Sequence, residues 1–250
     1  MKKFTTLALG TALALSATQA NAYLLFFGED LNNSEFTPLA SVPNSNSAES
    51  SFLANLTGVG TETFEGISAG SSQPLNLSFP GAGTATLSGG NGSVASVTPG
   101  TSNGFGRYSI PSATSSNYWE VAAGGSGNFS VGFSESIAAF GFYGVDIGDF
   151  GGQLELLLSN GDTLTVNNTQ GSNGSTGGSV LFFGLIAESA AEEFTGVEFL
   201  TSTGQGDVFA FDNFTIGSRE QVTSVPEPGT LALLGLGLAG LGISRRKRNV

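Results

Sequence analysis

The residues of this chain best suited to chemistry are carboxylates placed in turns. Asp146 and Asp149 flank Ile147-Gly148 between two apolar runs, Asp207 follows Gly204-Gln205-Gly206, and Asp212-Asn213 interrupts the last apolar run. Glu29-Asp30 lies early in the chain, and Glu65 ends the segment Thr61-Glu62-Thr63-Phe64-Glu65. Calcium takes about six to eight oxygens from carboxylates, Asn side chains and carbonyls in flexible loops. A structural calcium held by Glu65, Asp212 and Asn213 is therefore one reading, with Asp146 and Asp149 as the second choice. The other reading is that these acids occupy turns, which Asp and Asn favour. Neither an EF-hand spacing nor an Asp/Gly nonapeptide repeat is present.

Other chemistry is narrowed by what the chain lacks. There is no His and no Cys, so imidazole–thiolate zinc sites, Ser-His-Asp triads and disulfides are all excluded. Paired carboxylates, Asp146/Asp149 or Glu192/Glu193, would be needed for glycoside hydrolysis. Acids close in sequence are common, and no basic or aromatic cleft accompanies them, so the expectation is a chain without catalysis. The aromatics that could stack on sugars, if they lie on an outer face or loop tip, are Tyr108, Tyr118 and Trp119. Gly124-Gly125-Ser126-Gly127 lacks a following helix and a Lys, which argues against a phosphate cradle.

These residues must be positioned by β-strands. Gly, Ser, Thr and Asn dominate, twenty Phe are present, and short alternating apolar runs are separated by turn residues. Strands are predicted over residues 61–65, 75–79, 83–87, 118–122, 128–133, 137–145, 153–158, 163–166, 180–186, 194–200 and 208–216. Asn160-Gly161 marks a hairpin between two of them. One helix is predicted over residues 47–56, where Phe52, Leu53 and Leu56 share a face and Ser47 caps the start. The fold class is all-β, an antiparallel β-sandwich of jelly-roll type with this short helix. Phe129, Val131, Phe133, Phe140, Phe142, Leu154, Leu156, Val197, Phe199, Phe209 and Phe211 are its predicted core. A jelly roll pairs early and late strands, which would bring Glu65 close to Asp212 and Asn213.

The chain ends carry addresses. Lys2 and Lys3 precede an apolar run and an Ala20-Asn21-Ala22 site, the pattern of a secretory signal peptide cleaved after Ala22. At the other end, a Val225-Pro226-Glu227-Pro228-Gly229 elbow is followed by a charge-free stretch, residues 230–244, and then Arg245, Arg246, Lys247 and Arg248. As a helix that stretch spans about 22 Å against a hydrocarbon core of about 30 Å. It is thus marginal as a permanent anchor, and the cations hold its end on the cytoplasmic side. The expected organisation is a signal peptide over 1–22, a β-sandwich over 23–220, a linker over 221–229 and a transmembrane helix with basic tail over 230–250. Between the two ends Arg107 and Arg219 stand alone against nearly all the acids of a chain whose net charge is −12. Such a surface repels nucleic acid.

The tail resembles the PEP-CTERM sorting signal of Gram-negative bacteria, with the Pro-Glu-Pro elbow, Leu/Gly-rich helix and Arg/Lys cluster in that order. The resemblance implies recognition by an exosortase-type membrane transpeptidase that cuts near Pro226-Glu227-Pro228. The segments FGEDLN, GTETFEG, GFYGVDIGDFGGQL, SVLFFGLI and FAFDNFTIG are similar to a widespread group of exported proteins with the same tail, and that resemblance adds no reaction. The expected function is an exported protein, membrane-anchored before processing and then at the cell surface or in extracellular polysaccharide. Its sandwich would be structural or binding. A carbohydrate-binding module and a polysaccharide-active enzyme are the alternatives.

Overall fold

Apolar residues that alternate with polar ones must turn one strand face to a core, and two such sheets bury each other's faces. The computed structural model describes residues 23–125, 127–171 and 176–223. The signal site Ala20 and Ala22, the motif Val225, Pro226, Glu227 and Pro228, the apolar run and the cluster Arg245, Arg246, Lys247 and Arg248 lie outside the described residues. Among the described residues no helix is long and apolar enough to cross a membrane.

Two antiparallel sheets form a sandwich. Numbered in chain order, the seven-stranded sheet runs β1 (Tyr23–Asp30), β11 (Val180–Ala187), β8 (Ala139–Val145), β13 (Asp207–Gly217), β6 (Asn117–Ala123) and β5 (Ser93–Ser96), with β2 (Thr61–Glu62) also paired to β13. The six-stranded sheet runs β10 (Thr163–Thr165), β9 (Leu154–Leu158), β12 (Phe194–Thr201), β7 (Ser130–Ile137), β4 (Gly83–Ser88) and β3 (Leu75–Phe79). All the predicted core residues are buried in one cluster between the sheets. β9 and β10 form the hairpin predicted at Asn160-Gly161.

Every residue of β8 and β11 is buried, because their sheet is covered on both faces. Phe140, Phe142, Leu181, Phe183 and Leu185 point into the sandwich. Tyr143, Val145, Val180, Phe182 and Ile186 point outward, into a second cluster under helix α1 (Pro43–Leu53) and the loop carrying Tyr108 and Ile110. This explains why both strands read as unbroken apolar runs. Gly141 and Gly184 are register partners. A Cβ on either would stand 2.8 Å from the Phe52 ring, so the paired glycines make the recess that Phe52 of α1 fills.

Three local features differ from the sequence-based expectations. The helix begins at Pro43 rather than Ser47 and ends at Leu53. Proline suits the first helical turn, and the cap is supplied from across the sheet: Asp30 accepts hydrogen bonds from the N–H groups of Asn44 (3.2 Å) and Ser45 (2.9 Å). The strand predicted over 61–65 shrinks to Thr61–Glu62. There Phe64 adopts a φ of 59° and its N–H bonds to the Glu62 carboxylate. Finally, β7 and β8 are separated by Ala138 alone, where the chain passes from one sheet to the other.

Asp212-Asn213 does not interrupt β13 but bulges it. The register against β8 shifts between Asp212 and Thr215, and Asn213 has a φ of 50°. One extra residue reverses the alternation. Phe209 and Phe211 before the bulge and Phe214 and Ile216 after it therefore all enter the same core.

Candidate functional site

The two ends of the sandwich differ. At one end Tyr23 pairs with Ala187 and Ala139 with Gly217; here the chain also leaves the domain, with Thr223 N–H bonded to Asn55 O. At the opposite end lie Asp30, the residues after β8, and Asp207 at the start of β13. At an extended rise of about 3.4 Å per residue, the 11-residue β13 separates these poles by roughly 35 Å.

The distal pole gathers acids around one cation. Asp146 is 3 % exposed, with a φ of 67°. Its carboxylate accepts the Gly178 N–H at 2.8 Å and faces Arg107 Nη1 at 3.6 Å. Gly106 makes this fit: a Cβ there would lie 2.2 Å from Asp146 Oδ1. Arg107 also bonds Glu120 Oε2 at 2.9 Å and Val208 O at 3.2 Å. Burial pushes the Asp146 pKa up to about 6, against the pull of the Gly178 N–H and Arg107. Burial also raises Asp149 to about 7, with the charges of Asp146 and Asp207 adding to it. Asp149 Oδ1 is buried without a hydrogen-bond partner, as a group that carries its proton near neutrality can tolerate. The structure thus places Asp146 and Asp149 in one network, with Asp207 and Glu35 close enough to act on both.

The other expected set also meets, through Ser109. Ser109 Oγ donates to Asp212 Oδ2 at 2.9 Å and lies 3.5 Å from Glu65 Oε1. Asp212 accepts further bonds from the N–H groups of Ile110 (2.8 Å) and Asn213 (2.8 Å). Glu65 accepts the N–H groups of Ser116 (2.8 Å) and Asn117 (2.7 Å) and the Ser116 hydroxyl (3.1 Å). Asn213 Oδ1 is buried and unpartnered. Burial drives the Asp212 pKa well above the usual carboxylate range although three donors pull it down. Chemically these are carboxylates fixed by N–H and O–H donors, which pins Ser109 and Ile110 to β13 and Ser116 and Asn117 to the segment that follows β2. A calcium ion here would have to displace those donors. Among the described residues no group of three or more Asp and Glu is arranged to hold a metal ion. Of the other acid pair weighed in the sequence, Glu192 receives the N–H groups of Glu188 and Ser189, and Glu193 pairs with Arg219 at 2.9 Å.

The aromatics named for sugar stacking are in the interior. Tyr108, Tyr118 and Trp119 are 1 %, 0 % and 0 % exposed. Trp119 stacks on Phe64 within the sandwich, and Tyr108 Oη ties Leu39 N–H to Gly178 O. They sit there because alternation along β6 sends Trp119 inward and Tyr118 under the covering loop. Among the described residues the rings that reach solvent furthest are Phe36, 75 % exposed, and Phe105, 65 % exposed, both at the distal pole; Phe27 on β1 is 37 % exposed. The Phe36 and Phe105 loops are joined where Gly106 N–H and Ser102 Oγ donate to Glu35 O. The signal for these two in the sequence is a single Phe with no apolar partner two residues away, in Asn-Ser-Glu-Phe-Thr and Asn-Gly-Phe-Gly.

Comparison with known proteins bears on the chain's end more than on this pole. Residues 224–247 match the PEP-CTERM protein-sorting motif. That motif marks an exported protein handled by exosortase and held at the membrane during processing. No curated protein matches the chain. Among solved structures, the K2 cleaved adhesin domain of Lys-gingipain is similar at a TM-score of 0.37 and 14 % identity, over 63 % of this chain and 97 % of that one. A mutant of the family 29 carbohydrate binding module CBM29-2 is similar at a TM-score of 0.27 and 14 % identity, over 84 % of this chain and 100 % of that one.

Proposed function

We propose that this protein is a non-catalytic, exosortase-sorted β-sandwich that serves at the cell surface or in the surrounding polysaccharide as a structural or binding element. The observation that carries the reading is the sorting motif at residues 224–247 following a domain whose last described residue, Thr223, exits beside Asn55. The placement of the acids supports a role without catalysis: the buried Asp146 and Asp212 and the exposed Glu65 are each engaged by backbone N–H groups that hold loops in place. Mass spectrometry of the chain recovered from its own cells tests the proposal. A mature form lacking Arg245, Arg246, Lys247 and Arg248 is expected in the surface or extracellular fraction. An intact C-terminus in the inner membrane would instead make this a permanently anchored protein.

A further inference from the structure

The seven-stranded sheet closes one of its margins and leaves the other open. Beyond β5 the segment before β3 continues the ladder, with Gly70 N–H donating to Val94 O and Val94 N–H to Ser71 O, each at 2.8 Å. At the other margin β1 pairs with β11 alone. Ala187 turns its N–H toward Ala138, away from Tyr23, its register partner. Alternation along an antiparallel pair then turns the peptide groups of Tyr23, Leu25, Phe27 and Glu29 outward. Of these the Glu29 carbonyl accepts the Asn44 side-chain amide at 3.1 Å; the rest have no partner among the described residues. An open edge invites another strand unless Lys, Pro or a bulge blocks it, and β1 has none of the three.

The side chains suit a strand of the same kind. Leu25 and Phe27 stand opposite Leu185 and Phe183, on the face those residues turn into the sandwich, yet they are 46 % and 37 % exposed. On either side of them the strand is tied to other loops: Tyr23 Oη donates to Asp162 at 2.8 Å, and Thr169 N–H to Glu29 at 3.0 Å. Along its other face a groove of about 400 Å³ lies between β1 and the flank of α1, where Ser47, Ala48 and Ser51 leave room for a neighbour.

We infer that β1 pairs antiparallel with β1 of a second copy, joining two seven-stranded sheets across a two-fold axis at Phe26. The edge is complementary to itself about that axis. Leu25 of each copy meets Phe27 of the other and Tyr23 meets Glu29, so all four outward residues are engaged; an axis at Leu25 or Phe27 engages fewer within β1. Charge selects the same occupant and the same place. Two copies of a chain with net charge −12 repel over most of their surface, but Tyr23 to Gly28 carry no charge. Cleavage after Ala22 would add the α-ammonium of Tyr23 opposite Glu29 of the second copy. The axis also sends the two Thr223 exits to opposite ends of the joined sheet, which suits chains released from the membrane.

Sedimentation equilibrium of the chain recovered from its own cells, in mild detergent, tests the pairing. The wild type should run at twice the protomer mass. Leu25→Pro removes an N–H that β11 does not use, so it should spare the fold and give the protomer mass. Phe27→Lys, at an exposed position, should weaken association at least tenfold, with circular dichroism confirming that both variants are folded. The chain has no Cys, so Leu25→Cys and Phe27→Cys chains, mixed and oxidised, should form a linked dimer that neither forms alone. A pure wild type at the protomer mass, including one that has shed a different protein from this edge, would overturn the inference. So would a dimer indifferent to Leu25→Pro and Phe27→Lys, and Leu25→Cys chains linking to one another alone would overturn the axis at Phe26. The sorting proposal fails on the mass of the mature C-terminus, so the two failures are distinguishable.

Discussion

Asp30 receives two hydrogen bonds from Ser45, one from its N–H at 2.9 Å and one from its hydroxyl at 2.8 Å. A strand-end carboxylate thereby caps a helix that the residue before it, Val42, does not cap. Helix N-termini leave N–H groups without partners, and here the missing acceptor comes from β1. Ser45 is fully buried and also reaches Gly28 O and Val180 O, so the cap welds α1 to two strands.

Asp30→Ala should therefore lower the unfolding free energy by about 1–2 kcal/mol, the upper range for loss of a cap, because it strips three bonds at a buried position. Urea denaturation measures it. Asp30→Asn keeps one acceptor oxygen and puts an NH2 donor in place of the other, so it should retain part of the cap; a loss equal to that of Asp30→Ala would show that both carboxylate oxygens are needed.

The distal acids predict an inverted pH dependence. Asp146 and Asp149 have folded pKa values of about 6 and about 7, above the usual 3.8 of an aspartate. Between these values the folded chain binds more protons than the unfolded one, so stability falls as pH rises. Their contribution is full below about pH 4 and lost by about pH 7. The melting temperature should be higher at pH 5 than at pH 8, and Asp149→Asn should flatten that difference by raising the value at pH 8. A melt that rises from pH 5 to pH 8 would contradict the burial described for these groups.

Gly106→Ala should destabilise the distal pole by about 1–3 kcal/mol through its backbone alone, since its φ is 80°, and further through the collision with Asp146. Asp146→Ala in the same chain should recover the collision part and leave the backbone part. Chemical denaturation of the two single variants and the double variant separates them, and strict additivity would show that the two residues do not touch.

Calcium at Glu65, Asp212 and Asn213 has a direct test. Because N–H and O–H donors already occupy the Glu65 and Asp212 carboxylates, EDTA is expected to leave the melting temperature unchanged. A fall of several degrees, abolished by Asp212→Ala, would establish the ion.

Much of this molecule is legible along the chain. The core residues from Phe129 to Phe211, the hairpin at Asn160-Gly161 and the two-sheet class all follow from period-2 alternation and turn chemistry, which are local. The sorting tail is equally readable, because a proline elbow, an apolar run and a cation cluster act through their order. The errors have a common cause. The cap of α1 comes from Asp30, 15 residues before Ser45, whereas a cap sought among neighbouring residues places the helix start at Ser47. The Asp212 bulge was visible as a break in alternation, but its purpose required knowing that Phe214 and Ile216 face the same core as Phe209.

The acids and aromatics show the division most clearly. Sequence alone determined that carboxylates would sit in turns and that Phe would fill a sandwich. Only the tertiary structure decided which of them meet solvent: it put Trp119 and Tyr118 inside, left Phe36 and Phe105 at the pole opposite Thr223, and closed Gly106 over Asp146. Alternation reports which face of a strand a residue occupies. Whether that face is later covered by a helix, a loop or nothing depends on chain segments a hundred residues away, and so do its charge and its ligand.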